Sequence, residues 1–389
     1  MTISAAPGEL VAIDLLPGPR WVEVVEELWG RGVAFLPLDS RLTERERRGI
    51  VERAEPSLIL AEDEETWFAD GARVDERIGV VIATSGTSGT PKLAELSRSA
   101  VRAALEVSAG ALDLEPQHVW VSCLTPAHVG GLLVLLRGVE AHHPLEVHGR
   151  FDPARLIAYA PCWASVVPTM VRRLLAEERE LAGLSLLVGG GALDPGVRAD
   201  AERRGATIVE TYGLTETCGG IAYDGRVLLG TRARTDAEGA LELRGPTVME
   251  GYRHDPQATA DAFTIDGWLR TGDLGTIAHD GTLTVAGRAD DAIRSGGERI
   301  WPLEVEAVLR DHPKVADAAV AGRPDPEWGE HVAAWVVPRR IDDAPSLEEL
   351  RAFAKERLAS FKAPREVFLV PDVPRTSSGK IRRRDLPDT

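Results

Sequence analysis

Between residues 79 and 212, short apolar runs alternate with amphipathic stretches, and that rhythm admits few architectures. The runs lie at 80–83 (VVIA), 119–123 (VWVSC), 163–167 (WASVV), 184–188 (LSLLV) and 207–209 (TIV). They have the length and β-branched content of strands. Helical patterns separate them at 101–109, 171–180 and 197–204. This alternation predicts an α/β domain of layered, largely parallel sheets, whose ligands gather beyond the carboxyl ends of the strands. After Gly213 the texture changes. The alternating segments 240–245 (ALELRG) and 282–287 (TLTVAG), set among Gly- and Asp-rich turns, predict a small antiparallel subdomain. From Ala289 onward the pattern reads helix (302–311), strands (316–321 and 331–337), helix (346–360) and strand (366–370). The expected organisation is therefore a large N-terminal domain, 1–288, and a small α+β domain, 289–389.

The segment richest in chemistry is TSGTSGTPK, residues 84–92, directly after the run 80–83. Gly86 and Gly89 let backbone N–H groups turn inward, and Thr84, Ser85, Thr87 and Ser88 add hydroxyl donors. Lys92 places a positive charge at the end of the loop. Such a loop can wrap a polyphosphate, whereas a plain Ser/Gly linker rarely follows a buried strand and ends on lysine. The kinase-type GxxxxGK[ST] pattern is absent, which disfavours simple phosphoryl transfer.

Charge narrows the partners. The 61 acidic and 45 basic residues give a formal net charge of −16, a field that repels nucleic acid and anionic lipid. No apolar run approaches the length of a membrane span, and the first residues lack the pattern of a secretory signal. Cys123, Cys162 and Cys218 have no metal-ligand spacing and suit a reducing cytoplasm as small buried groups. A homo-oligomer is left open.

Further segments, in order, resemble the adenylate-forming superfamily of acyl- and aryl-CoA ligases, luciferases and adenylation domains. Residues 210–216 (ETYGLTE) resemble its nucleotide motif. Gly251-Tyr252, residues 258–263, Gly267-Trp268 and Arg270-Thr271-Gly272-Asp273 resemble its ribose-binding stretch. Residues 287–291 with Ser295-Gly296-Gly297-Glu298 resemble its hinge, and 374–380 (PRTSSGK) its catalytic-lysine loop. The likeness implies a two-step reaction needing ATP, Mg²⁺ and coenzyme A. A small-molecule carboxylate first displaces pyrophosphate from ATP, and a thiol then displaces AMP.

The resemblance assigns roles residue by residue. Lys380 would bridge the carboxylate and the α-phosphate, where two anions must meet; the alternative is an exposed lysine of the basic tail. Thr215 would hydrogen-bond the α-phosphate, and Glu216 would help hold Mg²⁺. Thr211 and Tyr212 belong to the nucleotide motif, Tyr212 lying against adenine or serving as a core aromatic. Gly190 and Gly191 would form the adenine shelf, Asp273 would accept from the ribose hydroxyls, and Arg288 would meet ribose or phosphates. Asp290 is the implied hinge. Gly296 would let a pantetheine arm pass, or would form a plain turn. His128, Gly130, Val167 and Gly190 would line the acyl pocket, with His128 as gate or as a helix-start residue.

The stretches HVGGLLVLLRG and VVPTMVRRLL, with only 83 residues ahead of the phosphate loop, resemble the branch that ligates o-succinylbenzoate to coenzyme A. Other aryl- or acyl-CoA ligases and enzymes that load a carrier protein remain alternatives. A non-catalytic adenylate binder is a rival of another class, disfavoured by the intact Lys380, Glu216 and Asp273.

Overall fold

The computed structural model describes residues 3–62, 64–84, 91–375 and 381–388. Two compact units share the chain: Met1–Ala233 with Leu243–Leu269, and Arg234–Glu242 with Arg270–Thr389. Residues 270–288 thus have most of their neighbours in the same unit as the C-terminal segment.

Among the described residues the first unit holds two sheets of seven strands. The strand order in one is Gly251–Tyr252, Leu93–Ser97, Ile78–Ala83, Ala34–Pro37, Leu10–Asp14, Leu58–Ala61, Glu65–Trp67. The four strands from Ile78–Ala83 to Leu58–Ala61 pair parallel; the flanking pairs are antiparallel. The order in the other is Arg226–Val227, Gly219–Tyr223, Thr207–Leu214, Leu184–Val188, Cys162–Val166, Trp120–Ser122, Leu145–Val147. From Thr207–Leu214 onward that sheet is parallel. The apolar rhythm is therefore divided, with the run at 80–83 in the first sheet and the other four in the second.

The helix Val129–Val139 (VGGLLVLLRGV) explains how these layers cohere. Leu132, Leu135 and Leu136 join a core with Trp21 and Leu28 of helix Pro19–Gly30 and with Phe35 and Ile82 of the first sheet. Val134 packs instead with Trp120, Leu187 and Tyr223 of the second. A helix covered on all sides needs no polar face, which is why its sequence shows none. Its one charge, Arg137, is 3% exposed, lies 4.4 Å over the Trp120 ring and donates to Ser108 Oγ at 2.7 Å.

The second unit holds most of a four-stranded sheet, ordered Arg232–Thr235, Ala240–Arg244, Leu269–Ile277, Leu283–Arg288. It also holds a mixed sheet in which Gly329–Pro338 pairs antiparallel with Val315–Asp325 and with Ile293–Ser295, and parallel with Glu366–Leu369. Helices Pro302–Arg310 and Leu347–Lys355 supply Val305, Leu309 and Leu350 to the core of that sheet. The helix expected at 346–360 ends at Lys355, and residues Ser360–Lys362 form a separate 3-10 turn. No helix among the described residues is long and apolar enough to cross a membrane. All three cysteines are buried and unbridged, and burial pushes the Cys123 thiol up to about 12.

Candidate active site

The phosphate loop connects two antiparallel strands, Ile78–Ala83 and Leu93–Ser97, so it is a hairpin connection and not a strand-to-helix loop. Its base is closed by the Thr84 N–H donating to the Lys92 carbonyl at 2.7 Å. Ser85, Gly86, Thr87, Ser88 and Gly89 lie outside the described residues, as does Lys380. The Lys92 ammonium sits 4.8 Å from the centre of the Tyr252 ring. The Tyr252 hydroxyl donates to Glu216 Oε1 at 2.8 Å. One aromatic thus joins the cation at the loop's end to the carboxylate of the nucleotide motif.

That motif folds as a strand that changes partners. Thr207–Leu214 runs five residues beyond the run read from sequence; it pairs parallel with Leu184–Val188 as far as Glu210, then antiparallel with Gly219–Tyr223 from Thr211. The close approach demands glycine: a Cβ on Gly213 would collide with the Gly219 carbonyl, and one on Gly220 with the Thr211 hydroxyl. Thr215–Thr217 then forms a 3-10 turn. Thr217 secures it, its hydroxyl accepting from Leu214 N–H at 2.9 Å and donating to the Gly219 carbonyl at 2.8 Å. Thr215 and Glu216 stand on this turn, and the Glu216 carbonyl accepts from the Met249 N–H at 2.8 Å.

Thr211 is wedged between two glycines. A Cβ on Gly189 would come 2.8 Å from its methyl group, and its buried hydroxyl has no hydrogen-bond partner among the described residues. An orphaned buried hydroxyl beside the Gly189-Gly190-Gly191 loop marks a place where a ligand's polar edge would be welcome. Gly190 adopts φ 78°, a conformation that suits glycine, and Tyr212 is half-buried beside Thr211.

His128 starts the helix Val129–Val139, but its side chain makes no cap hydrogen bond. Its Nε2 lies 3.7 Å from Asp39 Oδ2. Asp39, 5% exposed, is gripped by Arg41 through Nε at 2.8 Å and Nη2 at 2.7 Å. Burial pushes the Asp39 carboxyl up, yet Arg41 and then His128 outweigh it and hold it below the ordinary carboxylate range. Gly130 and Gly131 differ: a Cβ on Gly131 would strike the Thr125 carbonyl, while one on Gly130 would meet only Leu124 at 3.8 Å. Val167 is buried at the start of helix Pro168–Leu175.

In the second unit Asp273 and Arg288 face each other across adjacent antiparallel strands. Arg288 Nη1 donates to the Thr271 carbonyl at 3.0 Å and lies 3.3 Å from Asp273 Oδ1. Gly272, at φ +72°, keeps a Cβ away from the Arg288 guanidinium. Asp290 lies in the 3-10 turn Ala289–Asp291 and lines an open cleft of about 450 Å³ with Ala292, Arg294, Gly329 and Glu330. Gly296, at φ +60°, packs where any Cβ would collide with the Trp328 ring.

Among the described residues no three His, Cys, Asp or Glu side chains converge to hold a metal. Glu216 keeps one carboxylate oxygen without a partner among them, which suits Mg²⁺, an ion that takes one or two protein carboxylates and completes its shell with water and phosphate. The first unit thus brings together Lys92 with Glu216, Thr211 with the 189–191 loop, and His128 with Asp39. The second brings Asp273 to Arg288. Tyr252 as a bridge, and Asp39 with Arg41 beside His128, were not among the candidates read from sequence. Their signals were the Gly-Tyr pair at 251–252 and the PLD triplet at 37–39.

Residues 70–253 match the family described as AMP-binding enzyme, and residues 304–380 match the AMP-binding enzyme C-terminal domain. The chain is 34% identical to the 2-succinylbenzoate–CoA ligase of Bacillus licheniformis, over 97% of this chain and 89% of that protein. Its fold is similar to o-succinylbenzoate CoA synthetase from Bacillus subtilis in complex with the acyl-adenylate intermediate OSB-AMP, with a TM-score of 0.88, 28% identity, and coverage of 99% and 89%. A structure of that synthetase with ATP and magnesium ion gives a TM-score of 0.87 at 28% identity, over 98% and 90% of the two chains.

Proposed function

The chain belongs to the AMP-binding enzyme family, and from that premise we propose that it joins o-succinylbenzoate to coenzyme A at the expense of ATP. The observation that carries this reading is the likeness to 2-succinylbenzoate–CoA ligase along 97% of the chain. In the first step a carboxylate oxygen of the acid attacks the α-phosphorus, the bond to the bridging oxygen breaks, and pyrophosphate leaves. In the second the coenzyme A thiolate attacks the acyl carbonyl and AMP departs. Mg²⁺, when bound, neutralises phosphate charge at Glu216.

The residues divide the work as follows. Ser85 to Gly89 with Thr84 and Lys92 hold the phosphates, and Thr215 orients the α-phosphate. Lys380 offsets the repulsion between the two anions at the reacting oxygens. Thr211, Tyr212, Gly190 and Gly191 receive adenine; Asp273 and Arg288 receive ribose. His128, Gly130 and Val167 shape the acyl pocket. The chain turns at Asp290 between the steps, segment 289–389 withdrawing Lys380 and presenting Gly296 to the thiol. The setting we assign is the cytoplasm, which keeps the three buried thiols reduced.

The test is a panel of carboxylic acids, o-succinylbenzoate included, assayed for acid-dependent exchange of pyrophosphate into ATP and for thioester formation with free coenzyme A. Exchange and thioester are expected with o-succinylbenzoate. Exchange without thioester would replace coenzyme A by a carrier protein, and no exchange with any acid would leave only an adenylate binder. Lys380→Ala is expected to lose on the order of a hundredfold in adenylation while keeping thioester formation from supplied adenylate.

A further inference from the structure

We infer that Asp39, clamped by Arg41, is a positioning residue for acid binding, setting the orientation of the His128 imidazole. All three residues belong to the first unit. The strand Ala34–Pro37 pairs parallel with Ile78–Ala83 through Phe35 and Val80, and Asp39 and Thr84 each stand four residues past that pairing. Both chains therefore leave the sheet at its carboxyl edge, where ligands of such sheets collect. Thr84 is fixed there by its N–H donating to the Lys92 carbonyl at 2.7 Å. Asp39 is fixed by its own turn. The Leu38 N–H donates to the Ile13 carbonyl at 2.9 Å, and the Asp39 carbonyl accepts from the Leu42 N–H at 3.1 Å.

The backbone of His128 is settled by its helix, and its ring is not. The His128 carbonyl accepts from the Gly131 and Leu132 N–H groups at 3.0 and 2.9 Å, and its N–H donates to the Thr125 carbonyl at 3.3 Å. The imidazole takes no part in capping. What faces it is Asp39 Oδ2, 3.7 Å from Nε2, too long for a direct hydrogen bond and short enough for an ion pair. Closing the turn occupies the other oxygen: Oδ1 accepts from the Arg41 backbone N–H at 3.0 Å and from Nε at 2.8 Å. Arg41 Nη2 then donates to Oδ2 at 2.7 Å, and this two-pronged grip fixes the plane of the carboxylate. Exposure says which partner sets the other. The Asp39 side chain is 6% exposed and that of His128 is 36% exposed, so the buried carboxylate is the fixed reference and the imidazole the group it orients.

The inference rests on the ligase reading and on His128 lining the acyl pocket. Asp39→Asn keeps the size of the side chain and an acceptor for the Arg41 N–H, and removes the charge facing His128. In the pyrophosphate-exchange assay it is expected to raise the KM for o-succinylbenzoate on the order of tenfold and to leave the KM for MgATP unchanged. In a His128→Ala background the same substitution is expected to change neither. Arg41→Lys, at a side chain 44% exposed, keeps the cation and loses the two-pronged grip. It is expected to raise the KM for the acid in the same sense, again only while His128 is present. Absence of exchange in the unsubstituted protein would remove the ligase reading and this inference with it. His128→Ala with an unchanged KM for the acid would take His128 out of the acyl pocket and end the inference by that route. Where His128→Ala does raise that KM, three results would overturn the inference alone: Asp39→Asn and Arg41→Lys leaving it as it was, raising the KM for MgATP equally, or adding their full effect to His128→Ala.

Discussion

Tyr252 illustrates how one side chain serves two charges. Its ring face lies under the Lys92 ammonium and its hydroxyl donates to Glu216. Tyr252→Phe keeps the first contact and removes the second. A hydrogen bond to a charged group is worth about 1.5–3 kcal/mol, so the KM for MgATP is expected to rise about tenfold with little change in melting temperature. Steady-state kinetics over a range of ATP concentrations checks this, and an unchanged KM would detach Tyr252 from the nucleotide site. The pairing was not legible in the sequence. Glu216 and Tyr252 are 36 residues apart, and they meet because Gly251–Tyr252 adds to the edge of Leu93–Ser97, a pairing that two residues of strand do not announce. Asp39 and His128 present the same difficulty, since their contact depends on how a sheet and a helix pack.

Within the helix Val129–Val139, adjacent glycines carry different burdens. Gly131 is required by packing, because a side chain there meets the Thr125 carbonyl. Overpacking of that kind costs roughly 1–3 kcal/mol, so Gly131→Ala is expected to lower the melting temperature by several degrees. Gly130→Ala is expected to leave stability unchanged and to raise the KM for the acid instead. Thermal melts and acid titrations of the two variants separate these outcomes; equal loss of stability in both would deny Gly130 a place in the acyl pocket. In sequence the two glycines are indistinguishable. What sequence does show at this scale is the type of most elements, because apolar period and length are local properties. Their extents are less accessible: the strand at 207–209 continues to Leu214 only because Gly219–Tyr223 offers it a second partner. The grouping of residues 270–288 with the C-terminal segment likewise depends on contacts between distant stretches.

Across the whole molecule, surface charge and buried bases respond to acid in opposite senses. At neutral pH the chain carries a formal −16, and titration toward its pI near 5.1 relieves self-repulsion. Against this stand His143 and His148 in the first unit and His312 in the second, all buried. Burial lowers the pKa of each below 6.5, and Arg137, Arg155 and Lys314 respectively push the same way. For His148 both ring nitrogens lack a hydrogen-bond partner among the described residues, and Glu146 at 3.7 Å only partly offsets burial. In the unfolded chain these groups take up protons near 6.5, while the folded protein resists them. Stability is therefore undiminished above pH 6.5 and declines as pH falls from there toward the folded values. Each histidine that protonates only on unfolding steepens this slope by up to about 1.4 kcal/mol per pH unit. The melting temperature is expected to fall between pH 6.5 and 5.5 although net charge is shrinking, and His148→Gln is expected to make that fall shallower whatever its effect at pH 8. A melting temperature that instead climbs steadily toward the pI would mean that repulsion across the acidic surface, and not the buried imidazoles, governs the acid response.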